Sequence, residues 1–481
     1  MGRFLFSLFS LSLLTGCITA PPKNTSLSAP QPYYLPPAPA LAVLQPIEGI
    51  NATHEYDLAE LIHLAQIHNP ATRIAWQEAE QAALAAGMVK STYLPMITAS
   101  VVAGRQSFHT QHDIELAHLL NIESRSKDTG HGVVPAISLS WLLFDFGRRE
   151  AAHQAALELK TAQQAKFNTT HQTIVFNVAR TYFAYSAARQ KTQLSQQHLI
   201  QSQRLVEAAQ ARFDAGVGTS IDIAQAKQLA AQVRLLWVQQ QGTERDSYSA
   251  LLGAMGLAPT TALKIKGSAD RVLPPLHHLP TEAALQQALA YRPDLMAADA
   301  VVRAAEQGIE LVKADYKPTV GMVAVAAAGS ASLNMNNAIQ TQPHTKGHAV
   351  FLGMSVPIYD GGLRRQRLYS AQSKAQAARD MLEQAQQLAL REIHLAANTL
   401  RTALEAYEAS EELLAAARLT YEAAQESYEV GLSSMMLATE SANGLLDATE
   451  AHATAHAAAL TASANLAFVM GQIDSAQVLA Q

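Results

Sequence analysis

Asp360-Gly361-Gly362-Leu363-Arg364-Arg365 opens a run that reaches Tyr428 without a proline and, past its opening, without a glycine. Within it Ile393, Leu400, Tyr407, Leu414, Tyr421 and Tyr428 recur every seventh residue. That spacing keeps one side of a helix against its neighbours in a left-handed coil. At about 1.5 Å per residue the helix is roughly 100 Å long, wider than an ordinary globular domain. The run occurs twice. At positions 215 lower the seam reads Val178, Tyr185, Thr192, Leu199, Val206 and Phe213, behind the opening Asp145-Phe146-Gly147-Arg148-Arg149. Asp145 answers Asp360 and Gly147 answers Gly362, so the chain is a tandem repeat.

Composition narrows the function classes. Charged residues are 16% of the 481 and the formal net charge is -5 without basic clusters, which gives nucleic acid no footprint. Ala and Gln dominate the long runs, the one permitting close helix packing and the other giving a wettable surface of low charge. No nucleophile with a base, metal-ligand set or phosphate loop stands in register with the repeat, so an enzyme is not expected.

Residues 1–16 combine Arg3 with an apolar run from Phe4 to Leu14, too short for a spanning helix, and read as a secretory signal. Leu14-Thr15-Gly16-Cys17 follows, and Cys17 is the single cysteine. It excludes disulfides within the chain. The motif resembles a bacterial lipobox, which implies cleavage before Cys17 and acylation of it, several acyl chains anchoring stably where one is marginal. Ile18, in place of an aspartate that retains lipoproteins at the inner membrane, directs the resemblance to the outer membrane. Residues 17–51, rich in proline, form an extended tether. The first repeat covers 52–256, a linker 257–280, the second repeat 281–471 and a tail 472–481.

In each repeat the period changes once. A short amphipathic helix with Leu58, Leu61, Ile62 and Ala65 stops at Asn69-Pro70, and a helix of about two dozen residues then runs to Tyr93. Ile97, Ala99, Val101 and Ala103 next alternate with Thr98 and Ser100, and Ile137, Leu139, Trp141 and Leu143 alternate with Ala136, Ser138, Ser140 and Leu142. These read as two strands of about ten residues, enough to cross a bilayer when tilted, joined by a polar loop from Arg105 to Gly132. Arg292-Pro293 and Tyr316-Lys317-Pro318 repeat the entry, and strands near 319–328 and 349–358, with Val350, Leu352, Met354 and Val356 on one face, repeat the hairpin. A helix of about 24 residues thus enters each hairpin, one of about 67 leaves it, and one of about 36 returns after a turn. The two short helices together line the long one.

Four strands cannot close a barrel in lipid, because free edges leave backbone groups unpaired at several kcal/mol each. Several chains must share one barrel. On the duplication, on Val356-Pro357-Ile358-Tyr359-Asp360-Gly361-Gly362 with its partner Trp141-Leu142-Leu143-Phe144-Asp145-Phe146-Gly147, and on the two distal turns, residues 52–471 resemble the TolC-type outer-membrane efflux proteins, in their lipoprotein branch. The resemblance implies a mainly α fold with a membrane β part: a homotrimer whose duplicated long helices form an α-barrel below a twelve-stranded β-barrel. It also implies a periplasmic adaptor, or membrane fusion protein, and an inner-membrane transporter, expected to be proton-driven, as partners. No cofactor is expected beyond the lipid on Cys17.

Candidate site residues follow. The first distal turn holds Gly216, Val217, Gly218, Thr219, Ser220 and Asp222, the second Gly431, Leu432 and Ser433, with Leu437 where the first has Asp222. Glycine ends one helix, Thr219 or Ser220 caps the next, and Asp222 suits its first turn. The resemblance makes these turns the adaptor-docking tips. It also places a gating acid at Glu422, with Glu426 one turn on, where a carboxylate ring would favour cations. Asp145, Gly147, Asp360, Gly361 and Gly362 are the barrel-to-helix corners, and Arg148, Arg149, Arg364 and Arg365 serve a membrane interface or merely solvate a helix start. His109, His112, His118, His131, His344 and His348 cluster in the strand loops without ligand spacing, so no metal site is assigned. Small-molecule or drug efflux is the leading expectation, type I protein secretion or metal efflux its alternatives, and a periplasmic coiled-coil adaptor the rival of another class.

Overall fold

A computed structural model describes residues 50–116, 120–275, 280–335, 339–341 and 344–473. The signal sequence, Cys17, the tether up to residue 49, His118 and residues 474–481 lie outside them, as does the side chain of His112. Residues from Asn51 onward belong to one compact unit. In chain order its elements are β1 (Glu55–Tyr56), α1 (Leu58–His68), α2 (Pro70–Ser91), β2 (Met96–Leu116), β3 (Leu120–Phe144), α3 (Arg148–Asp214), α4 (Ser220–Met255) and β4 (Lys264–Ile265). Then follow α5 (Glu282–Ala288), a 3-10 turn (Leu289–Tyr291), α6 (Pro293–Ala314), β5 (Thr319–Met335), β6 (Ile339–Thr341), β7 (His344–Ser355), α7 (Leu363–Glu429) and α8 (Met435–Val469).

The two long helices, α3 and α7, are each 67 residues, and α4 and α8 return alongside with 36 and 35. Both heptad seams face neighbours: Val178, Tyr185, Ile393, Leu400 and Tyr428 are buried and the positions between them at least half-buried. Phe213, the last position of the first seam, is exposed instead. The short helices meet end to end. The Asn69 amide at the start of α2 donates to the Ala254 carbonyl at the end of α4 (3.0 Å), and Arg292 before α6 donates to the Val469 carbonyl ending α8 (3.1 Å). Gly256 and Gly471, 215 residues apart, make both junctions possible: each has positive φ, and a β-carbon would lie 2.8 Å from Asn69 Cα or 2.7 Å from the Tyr291 carbonyl oxygen. The connecting segment crosses α3 at mid-length. There β4 pairs in parallel with β1, and Tyr182 and Arg189 donate to the carbonyls of Lys266 and Ile265.

The strands correct the expected loop. β2 and β3 are 21 and 25 residues long and stay in antiparallel register from Met96–Ser140 to Leu116–Leu120, so Arg105 to Leu116 and Leu120 to Gly132 are strand. An antiparallel pair satisfies its own backbone whatever its side chains, and a polar ribbon lacks the apolar alternation that marks a half-buried strand. The second hairpin also shifts. β7 ends at Ser355, leaving Val356 outside, because Pro357 cannot donate to a ladder. The sheet order is β2-β3-β5-β7, with β6 beside the outer end of β5, so β2 and β7 are free edges. Register aligns one apolar face across it: Ile97 pairs with Leu139, Leu139 with Ala324 and Ala324 with Val350.

Strand turns into helix through one device used twice. Phe146 and Gly147, and again Gly361 and Gly362, take positive φ, which aims the chain into α3 or α7. The arginine four residues on then folds back. Arg149 Nε lies 2.9 Å from Asp145 Oδ2, its guanidinium donates to the carbonyls of Thr92, Leu142 and Leu143, and it covers the Tyr93 ring. Arg364 repeats this with Asp360 (2.7 Å), the Pro357 carbonyl and the Tyr316 ring. Hydrogen bonds from Arg364, with lesser ones from backbone amides, hold the Asp360 carboxyl below its usual pKa. Arg148 pairs with Asp315 (3.1 Å). Three of the four arginines thus have structural partners, where the sequence suggested interface or solvation roles.

The two corners differ in burial, Asp145 being 5% exposed. Arg149→Met removes the charged partner of a buried carboxylate, which keeps only the backbone N–H of residue 149, together with the guanidinium bonds to three carbonyls, and is expected to cost about 3–5 kcal/mol, whereas Arg364→Met at the open corner costs less. Thermal unfolding of the two variants in detergent checks the order. Because the Asp360 pKa falls on folding, its stabilisation is complete above the ordinary aspartate value and is lost as pH falls through the lowered one.

Candidate functional site

The distal turns are two copies of one loop. Gly216 (φ 78°) and Gly431 (φ 84°) end the long helices in the left-handed region. In the first turn Val217 and Gly218 both return their N–H groups to the Arg212 carbonyl at 3.0 Å; in the second Leu432 and Ser433 return theirs to Ser427 at 2.8 and 3.1 Å. These bonds satisfy carbonyls that a helix end would leave orphaned. The next helices start differently. Thr219, rather than Ser220, caps α4 in a reciprocal box: Asp222 N–H donates to Thr219 Oγ1 (3.1 Å) and Thr219 N–H to Asp222 Oδ2 (2.8 Å). Ser434 caps α8 through the Leu437 amide at 3.4 Å, with no acid to complete the box.

Arg212 joins the turns, and the sequence reading missed it. Its guanidinium donates to the Tyr428 carbonyl (2.9 Å) and stands over the Tyr428 ring at 5.0 Å. Gly431 leaves room for it, since a β-carbon there would lie 3.3 Å from Arg212 Nη1. Tyr428 is consequently buried, and burial, with Asp222 nearby, raises its pKa. No spacing rule foretells a contact between the ends of two helices. Around this joint Val217, Ile221, Val430, Leu432 and Met436 are exposed, a concentration of apolar side chains that α3, α4, α7 and α8 leave uncovered.

Glu422 and Glu426 are exposed on one face of α7, away from the seam, and among the described residues neither has an ion-pair partner. Residues 401–429 contain seven glutamates against Arg401 and Arg418, so the distal part of α7 is an acidic surface. The loop histidines are not assembled into a site: His109, His131, His344 and His348 are exposed, and among the described residues no group of three or more His, Cys, Asp or Glu is placed to hold a metal.

The chain also has two unfinished sides. On α7, Met381, Leu388 and Leu395 form a second seven-residue repeat that is exposed, Leu395 to 68%. On α2, Ile74, Leu84 and Met88 are exposed as well. The helices of the entry end succeed one another as α2, α3, α6, α7, so α2 and α7 are outer members, as β2 and β7 are of the sheet. The seven-residue spacing was legible in the sequence; which seam the chain itself would cover was not. Among the described residues no helix is long and apolar enough to cross a membrane.

Residues 61–257 and 284–472 match the family model described as "Outer membrane efflux protein". The chain is 26% identical over 356 residues to Protein CyaE of Bordetella pertussis, covering 73% of this chain and 71% of that one. It is 23% identical over 481 residues to the pyoverdine export outer membrane protein OpmQ of Pseudomonas putida, covering 96% and 95%. The open-state outer membrane channel MtrE of Neisseria gonorrhoeae has the same fold, with a TM-score of 0.68 at 21% identity over 89% of this chain and 93% of that one. With most of both repeats matched, this chain belongs to the outer membrane efflux protein family and resides in the outer membrane.

Proposed function

We propose that the protein is the outer-membrane channel of a tripartite export system, a passive conduit that three copies build together. The observation that carries this is the pair of unfinished sides: β2 and α2 on one, β7 and α7 on the other. The sides differ, so copies associate head to tail, and such contacts close into a ring. Three copies would supply twelve strands and abolish every edge, while the helices continue the wall as a tunnel of roughly 100 Å. Small-molecule efflux is the favoured cargo, consistent with the name of OpmQ; secretion of protein or efflux of metal would use the same conduit.

In this reading Gly216–Asp222 and Gly431–Ser433 dock the adaptor, their exposed apolar residues giving contact area and their fixed loops little entropy to lose. The tip that carries Asp222 presents a charge that Leu437 lacks, so the two grip unequally. Glu422 and Glu426 form the gate, their carboxylates repeated around the ring. Cys17 carries the lipid.

Three measurements test this. Purified protein should form ion channels in planar bilayers, and Leu388→Arg with Leu395→Arg should leave monomers that conduct nothing; trimers of undiminished mass would remove the ring interface. Glu422→Gln should lower cation selectivity in the same bilayers, and unchanged selectivity would remove the gate. A photo-crosslinker at Asp222 should capture a periplasmic adaptor in cells, and capture of none despite good expression would count against the tip.

A further inference from the structure

Three buried or half-buried histidines have no part in the channel reading. His198 lies on α3, and His452 and His456 lie one turn apart on α8. Each ties a different pair of elements. His198 Nε2 lies 3.2 Å from Thr449 Oγ1, joining α3 to α8; His452 Nδ1 lies 3.2 Å from Ser410 Oγ, joining α8 to α7. His456 Nε2 lies 3.0 Å from the Arg271 carbonyl, joining α8 to the connecting segment.

The partners fix the tautomers. Thr449 gives its hydroxyl proton to the Leu446 carbonyl (2.8 Å) and Ser410 gives its own to the Tyr407 carbonyl (2.7 Å), so both oxygens accept from the imidazoles. A carbonyl can only accept. All three rings therefore donate at these nitrogens, and in the neutral form of a ring the other nitrogen carries no proton. A second proton would not break these bonds. It would place charge in the seam.

The surroundings oppose that charge. His198 and His456 are buried, and His198 lines a cavity of about 20 Å³ between α3, α4, α7 and α8, whose walls mix Leu205, Leu229, Val233 and Leu446 with the uncharged polar side chains of Gln201, Ser202 and Gln425. Burial pulls the pKa of both His198 and His452 below the ordinary imidazole value. Glu411 on α7 favours charge on His452 and His456 disfavours it, both less than burial does. Other groups facing the cluster offer little: Gln201 neighbours His198, Glu450 is engaged by Gln240 of α4 (3.0 Å), and the Arg271 guanidinium stands over Phe183. The Tyr407 ring, 5.1 Å from His452 and 5.5 Å from His456, gives weak cation–π support.

We propose that His198 and His452 are a proton-operated fastening, which holds α8 to α3 and α7 while the rings are neutral and loosens α8 when they take up protons, with His456 tying α8 to the connecting segment beside them. A state with hydrated rings binds protons more readily than the packed one, so the fastening is complete above about pH 6.5 and weakens as pH falls below it. α8 begins at the second distal turn, so acidification would free one tip; that consequence rests on the channel reading, whereas the fastening itself does not.

Hydrogen exchange of the full-length protein in detergent tests it. Corrected for intrinsic rates, protection of α8 amides around residues 445–460 should fall on the order of tenfold between about pH 7.5 and 5.5, as protonation of hydrated rings favours the opened state. The triple variant His198→Gln, His452→Asn and His456→Gln keeps each donor in place and should show equal protection at both values. Wild-type protection that ignores pH, or a variant that loses protection as the wild type does, overturns the proposal. If the variant does not fold, exchange at the imidazole C2–H of the wild-type rings decides: His198 and His452 titrating below about 6.5 support it, and titrating at or above that value overturns it. These readouts need no transport, so failure of the channel reading shows separately as absent conductance.

Discussion

The unpaired backbone of β2 and β7 is the constraint on which the rest depends. In lipid an open edge costs several kcal/mol for each unmatched group, and four strands cannot curl far enough to pair their own edges. The chain is therefore incomplete by itself. The same incompleteness runs into the helices, where α7 exposes Met381, Leu388 and Leu395 beside a seam that it has already buried. Sheet and helices run out of partners on the same two sides, so the one ring closure proposed above would satisfy both.

Joining a sheet to helices of 67 residues requires a rigid corner, and the repeats supply it with one arginine each. Arg149 and Arg364 bind the carboxylate four residues back and the carbonyls where strand pairing has ended, acting as caps for both elements. Duplication fixes the geometry but not the chemistry. The first corner buries its aspartate while the second leaves it open, the first tip has a full capping box while the second has half of one, and only α8 carries the histidine pair.

Much of this was legible in order of residues. The heptads at Ile393–Tyr428, the offset of 215, the prolines at 70 and 293 and the alternation at 136–143 gave the helices, their end-to-end stacking and the membrane face. Arg105–Gly132 was not legible, because a ribbon held by backbone ladders needs no apolar face to form. Val356 was misplaced for the opposite reason, an apolar residue carried past the end of a ladder that Pro357 stops.

The sequence by itself determined the repeat, the helix lengths and the class of protein, since those follow from periodicity and from where the backbone can and cannot hydrogen-bond. Only the tertiary structure decided which seam is covered within the chain, that Arg212 reaches Tyr428, and that His198, His452 and His456 meet three different partners. The reason is physical: periodicity is a property of one helix, whereas a contact between α3 and α8 depends on how far each has been displaced along and turned about its own axis, and packing alone sets that.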